Sequence, residues 1–175
     1  MAVIFRRSSA NAPSDTLQED IAFFELLTRS YARQVGAPLV LDGQDARWLY
    51  RHAPYGLVAH NTEPDPCFIY ANATAQSCFE YSWQEFVQLH SRFSAEPADR
   101  FERQRLLEAV VRDGHVSGYR GVRVARSGRR FRIENGVIWR LLDKRGRCYG
   151  HAAVFDSRRA VLSLENTCNG ERTHD

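Results

Sequence analysis

The sequence predicts an α+β domain, a five-stranded antiparallel sheet with helices on one face and a helical extension in front of it. Three observations carry this. Two short apolar runs, GLVAH and CFIYA, precede three helical segments, and three further strands joined by tight turns follow. In the longest strand Phe131, Ile133, Val137, Trp139 and Leu141 alternate with Arg130, Arg132, Glu134 and Arg140, the period of a half-buried strand. A capped amphipathic segment stands ahead of all of them. At 175 residues, 43% of them hydrophobic, the chain has material for one core.

Residues 1–14 lack periodicity and 160–175 are mostly polar, so both read as flexible tails around an extension (15–53) and a core domain (54–159). Thr16 and Glu19 have capping-box spacing, which predicts a helix from Thr16 to about Val35 with Ile21, Phe24, Leu27, Tyr31 and Val35 as its apolar stripe and Gly36 as its stop. The stripe suits core packing or the seam of a homodimer. A short helix over Gln44–His52 ends before Pro54.

GLVAH and CFIYA, separated by NTEPDP, predict a hairpin. Asn72 then caps a helix reaching Phe79, Ser82 and Glu85 box the next one, and a longer helix runs from about Asp99 to Asp113 before Gly114. The strands YRGVRVAR, RRFRIENGVIWRLL and CYGHAAVF turn at Ser127-Gly128 and at Asp143 to Gly146. Within the middle strand Asn135 is the odd member of the buried series. It needs a hydrogen-bond partner or a bulge beside Gly136.

Charge and reactive residues exclude more than they assign. The net charge of +3, from 24 basic and 21 acidic residues, does not call for nucleic acid. The densest basic stretch, Arg120, Arg123, Arg126, Arg129, Arg130 and Arg132, reads as a solvated strand face protected from aggregation, and no nucleic-acid partner is expected. Cys67, Cys78, Cys148 and Cys168 lack the paired spacing of a zinc site or a redox dithiol, and free thiols fit a cytoplasmic protein. No apolar run approaches the roughly 18 residues that span a bilayer, so no membrane partner is expected. The six histidines are scattered singly, which argues against a metal site, although His60 and His151 would lie on neighbouring strands. Nucleophile elbows and phosphate loops are missing, and an enzyme is not expected.

The phrases IYANATAQSCFEYSWQEF and SGRRFRIENGVIWRLLDKRGRCYGHAAVFD resemble PAS domains, with their Y-A-N-x-A strand-to-helix junction and G-x-x-F hairpin. The longer run from HAPYGLVAHNTEPDPCFIYANATA through SRFSAEPADRFERQRLLEAV to SGYRGVRVARSGRRFRIE is similar to the MEKHLA family of small PAS-like proteins. That resemblance implies a PAS-like fold and a sensory or small-ligand-binding role without an assigned ligand. It also leaves a ligand-free interaction or dimerisation module, and a cofactor-bound redox protein, as other readings.

A more distant resemblance to the flavin-binding LOV branch places Ser91 where the reactive cysteine of that branch stands, with Arg92 and Phe93 kept. The flavin-holding asparagines and glutamine align with Arg123, Ile133 and Val154. Since the adduct requires a thiolate, flavin-thiol photochemistry is not expected. Haem is not expected either, because no histidine lies in the helix from Asp99 to Asp113 and His115 falls just beyond it. On this alignment the candidate ligand residues are Ser91, Arg92 and Arg123, with Phe131, Ile133 and Trp139 as an apolar wall and Asn135 as a polar handle. Such a set suits an anionic, partly hydrophobic small molecule. The competing assignment pairs Arg92 internally with Glu96 or Asp99 and turns Arg123 to water.

Overall fold

The computed structural model describes residues 17–96 and 100–157, apart from the side chains at 100 and 103. The expected tails, Thr16, Asp99 and Cys168 lie outside them. Helices α1 (Ile21–Val35) and α2 (Ala46–Arg51) lead into strands β1 (Gly56–His60) and β2 (Phe68–Ala71). Helices α3 (Ala73–Phe79) and α4 (Trp83–Phe86), the 3-10 turn Ser91–Ser94 and α5 (Arg100–Asp113) follow, and β3 (His115–Val124), β4 (Arg130–Leu142) and β5 (Cys148–Phe155) complete the fold. The five strands form one antiparallel sheet in the order β2-β1-β5-β4-β3.

The core has two layers because the sheet is covered on both sides. On one face Phe23 and Leu27 of α1 and Leu49 of α2 pack against Leu57, Ala59, Tyr70, Trp139, Leu141 and Ala152. On the other, Phe79 of α3 and Phe86 of α4 pack against Val58, Phe68, Phe131, Ile133 and Phe155. The helices of the core domain thus share one face, and the N-terminal extension seals the opposite one. The extension is bound by polar contacts as well. The indole N–H of Trp139 donates to Ser30 Oγ at 3.1 Å, the ring of Tyr31 meets that of Trp139 edge-on at 4.8 Å, and Gln34 Nε2 donates to the Arg140 carbonyl at 2.6 Å.

Local sequence explains most element ends. Helix α1 begins at Asp20 rather than Thr16, and the Asp20 carboxylate accepts the Phe23 N–H. Its buried stripe is Phe23, Leu27 and Ser30, while Ile21, expected inside, is 71% exposed. The inward face is centred on Phe23 and Leu27, one turn apart, with Phe24 and Tyr31 half-buried at its edge, and Ile21, in the first turn, falls off that face. Gly36 ends the helix at φ +79° as expected. Asn72 and Ser82 cap α3 and α4, the latter with the full capping box to Glu85. Strand β3 begins at His115 rather than Tyr119, because Gly114 (φ +87°) turns the chain straight from α5 into the sheet.

Strand β4 departs from simple alternation. Val116 pairs with Ile138, Tyr119 with Gly136, and Gly121 with Ile133, so β3 gains one residue and β4 then gains one in return. The extra residues coincide with left-handed backbone at Gly118 (φ +72°) and Asn135 (φ +54°). The bulge at Asn135 moves the side-chain series from one face to the other. Phe131 and Ile133 therefore face α3 and α4, whereas Trp139 and Leu141 face α1. The single buried side read from the alternation is corrected to two half-strands with opposite buried faces.

Candidate functional site

A cavity of about 60 Å³ lies between the sheet and the helices α3 to α5. Val58, Phe68, Phe79, Ile133, Ile138 and Phe155, with Leu106 and Leu107 of α5, make it apolar. Its polar lining is His60 from β1, Ser91 and Ser94 from the 3-10 turn, Tyr119 and Arg123 from β3, and His151 from β5. No carboxylate borders it among the described residues.

The chain positions each polar group through a specific contact. Ser91, 2% exposed, is pinned by its N–H donating to the Pro66 carbonyl at 2.8 Å, and Ser94 Oγ donates to the Ser91 carbonyl at 2.7 Å. Arg123 faces Phe131 across β3 and β4, and its guanidinium carbon lies 5.2 Å from the Tyr119 ring centre. Among the described residues Arg123 makes no ion pair, whereas its neighbours in the basic hairpin do. Arg126 pairs with Glu85, Arg129 with Glu80 and Arg130 with Glu96. Hydrogen bonds from Ser127 and Arg129 hold the Glu80 carboxyl down at about 2.

The cavity brings together some of the sequence-derived candidates and separates others. Ser91, Arg123 and Ile133 line it, and Phe131 is buried beside it on the same face. Arg92 lies outside the lining, with Nε 2.9 Å from Asp65 Oδ1 and its guanidinium 4.3 Å from the Phe93 ring centre. Its internal partner is Asp65, while Glu96 takes Arg130. Trp139 and Asn135 are on the far face, Trp139 under α1 and Asn135 in an open groove with Tyr31, Tyr55 and Val137. The sequence pointed to the adjacency of His60 and His151, which pair across β1 and β5 with ring centres 5.3 Å apart. Their place in the cavity was missed, as were Ser94, Tyr119 and the two leucines of α5, because nothing in their spacing marks them.

A second polar cluster sits at the start of β2. Cys67 Sγ lies 3.3 Å from His90 Nδ1, and His90 Nδ1 is 3.1 Å from Asp65 Oδ2. Burial, then the carboxylates of Asp65 and Glu63, push the Cys67 thiol up, opposite to the shift of an activated nucleophile. Burial also raises the Cys78 thiol. Neither cysteine borders the cavity. No group of three or more potential metal ligands gathers among the described residues.

A five-stranded antiparallel sheet with its helices and a cavity on one face is the architecture of PAS domains, and solved structures agree. The PAS domain of a protein from Colwellia psychrerythraea is similar at 14% identity, with a TM-score of 0.55 over 63% of this chain and 90% of that one. A light-oxygen-voltage domain studied with a flavin analogue is similar at 19% identity and a TM-score of 0.51, over 59% and 76% of the two chains. An RNA-binding light-oxygen-voltage receptor is similar at 18% identity and a TM-score of 0.55, over 70% of this chain but only 37% of that one. The family model for the MEKHLA domain matches residues 21–159, and the chain belongs to the MEKHLA domain family. Comparison with curated proteins finds no match.

The flavin of the light-oxygen-voltage branch does not fit the residues present. Ser91 supplies a hydroxyl to the cavity, no thiol borders it among the described residues, and 60 Å³ is well below the roughly 300 Å³ at which pockets for larger organic ligands begin.

Proposed function

We propose that this chain is a non-enzymatic, cytoplasmic sensory module that binds a small anionic, partly hydrophobic molecule in the cavity and signals through altered protein contacts. The observation that carries this reading is Arg123, a guanidinium lining an apolar cavity with, among the described residues, neither an ion-pair partner nor a carboxylate in the lining. A cation there favours an anion, since charge-assisted hydrogen bonds gain strength where water is scarce. The cavity volume corresponds to about two waters, which selects a ligand of a few heavy atoms. The three free cysteines among the described residues accord with a reducing compartment, and no helix among these residues is long and apolar enough to cross a membrane.

A route from cavity to surface exists in β4 and β5. Ile138 and Ala153 pair beneath the cavity, and the adjacent pair, Trp139 and Ala152, lies on the opposite face under α1. A ligand that shifts these strands changes the seat of α1, the element best placed to alter contacts with a second copy or another protein.

Thermal unfolding with short-chain carboxylates, such as acetate and propionate, tests the reading. At about ten times Kd the expected stabilisation is about 1.4 kcal/mol, or roughly 3–6 °C. Arg123→Ala should abolish this shift and Arg92→Ala should keep it. Stabilisation that survives Arg123→Ala would refute the site, and no stabilisation by any small anion would favour a ligand-free interaction module.

A further inference from the structure

The cavity face of β3 carries an aromatic ring on a glycine seat. Tyr119, Gly121 and Arg123 occupy alternate positions of the strand, and both side chains line the cavity. A Cβ at Gly121 would run into the Tyr119 hydroxyl, so the phenol lies along the strand over that glycine, toward Arg123. Across the strand pair Tyr119 faces Gly136, where a Cβ would stand 3.2 Å from Tyr119 Cδ1. The ring thus takes the places of two missing side chains. Neither glycine has left-handed backbone, so what each contributes is the absence of a side chain beneath the ring.

This arrangement limits the free volume beside the cation. The Arg123 guanidinium carbon is 5.2 Å from the Tyr119 ring centre, and the cavity that both of them line is about 60 Å³. An apolar cavity of roughly 150 Å³ holds benzene, so an aromatic ligand does not fit the space present. With the phenol removed, no side chain rises from position 121 or 136 to fill its place, and the vacated volume opens next to Arg123. Other large residues of the lining differ in this respect. Phe79, for example, meets the rings of Phe131 and Phe155 edge-on and is part of the packed core.

We propose that Tyr119 is the specificity-determining residue of this cavity, a size filter seated on Gly121 and Gly136 that admits a carboxylate of a few heavy atoms to Arg123 and rejects an aromatic one. The inference rests on the anion-binding reading above. Arg123 reads the charge of the ligand, and the phenol beside it reads the size. The two glycines are positioning residues, since they act by leaving room for the ring.

The test is isothermal titration calorimetry of the whole chain with sodium acetate and sodium benzoate at about pH 7.5, where both probes are anions. The wild type and Tyr119→Phe, which keeps the ring, should bind acetate and not benzoate. In Tyr119→Ala the affinity for benzoate relative to acetate should rise by at least about tenfold, the discrimination that a single misfitting methylene already provides in an apolar pocket. Adding Arg123→Ala to that variant should remove benzoate binding. The seat is checked by a double-mutant cycle, in which Gly121→Ala should lower Tm in the wild type and leave it unchanged in Tyr119→Ala. A wild type that binds both probes, or a Tyr119→Ala variant that binds acetate and still rejects benzoate, would overturn the filter and leave the anion site standing. Benzoate binding that survives loss of Arg123 would also overturn it, by placing the new space away from the cation. An equal fall in Tm from Gly121→Ala in both backgrounds would overturn the seat. Absence of binding of either anion by every form would overturn both the filter and the anion reading. If Tyr119→Ala does not fold, Tyr119→Val, which also removes the ring, answers the same question.

Discussion

Asn72 shows how one residue can serve both a helix and the sheet. It is fully buried, and its side-chain oxygen accepts the N–H groups of Leu57 at 2.9 Å and Ala75 at 3.0 Å, while its nitrogen donates to the carbonyls of Tyr55 at 2.8 Å and Leu49 at 3.3 Å. The cap on α3 was legible from sequence, because an asparagine ahead of a helical run predicts it. The links to β1 and α2 were not, because they join residues far apart in the chain. Asn72→Ala leaves two N–H groups and two carbonyls to find new partners in the interior, and unfolding in urea should show a loss of about 2–4 kcal/mol. Asn72→Ser, which keeps a capping oxygen but cannot reach all four partners, should lose less. Equal stability of the Ala variant and the wild type would show that water replaces these bonds.

At the scale of elements, β4 is where the one-dimensional pattern and the structure part. Its alternation of apolar residues looks continuous, yet the bulge at Asn135 lets one strand serve two cores, Phe131 and Ile133 toward the cavity and Trp139 and Leu141 toward α1. Asn135 supports this because asparagine tolerates the left-handed region that its φ of +54° requires. Replacing it with valine should cost about 1–2 kcal/mol in equilibrium unfolding, and replacing it with glycine should be close to neutral. A valine variant as stable as the glycine one would mean that the bulge has moved. Gly150 sets a related limit on β5. A Cβ there would lie 1.9 Å from the His60 carbonyl oxygen, so the pairing that brings His151 beside His60 depends on a glycine one residue earlier.

For the whole molecule, the N-terminal extension is structural cover for the domain. Trp139, Leu57, Leu141 and Tyr70 are 2% exposed or less with α1 and α2 in place. Phe23 and Leu27 alone account for roughly 3–6 kcal/mol of burial. Deleting residues 1–38 should abolish the cooperative thermal transition and produce binding of a hydrophobic dye. A truncated chain that melts cooperatively near the wild-type temperature would show that the core domain closes that face by itself.

The sequence by itself determined the order and type of the elements, the caps at Asn72 and Ser82, the antiparallel sheet and the family resemblance. Each is written in neighbouring residues through turn chemistry, capping and periodicity. Only the tertiary structure decided which residues meet in the cavity. The proposed wall of Phe131, Ile133 and Trp139 was divided between two faces by a one-residue bulge, and a shift of one position reverses every side chain beyond it. Arg92 and Arg123 both suit an anion by residue type, but their roles separated because Asp65, distant in sequence, reaches Arg92, whereas no described carboxylate reaches Arg123. Local physics fixes which way a short segment folds, while a binding site is made where several segments converge, and that convergence depends on pairing register and partner choice across the whole sheet.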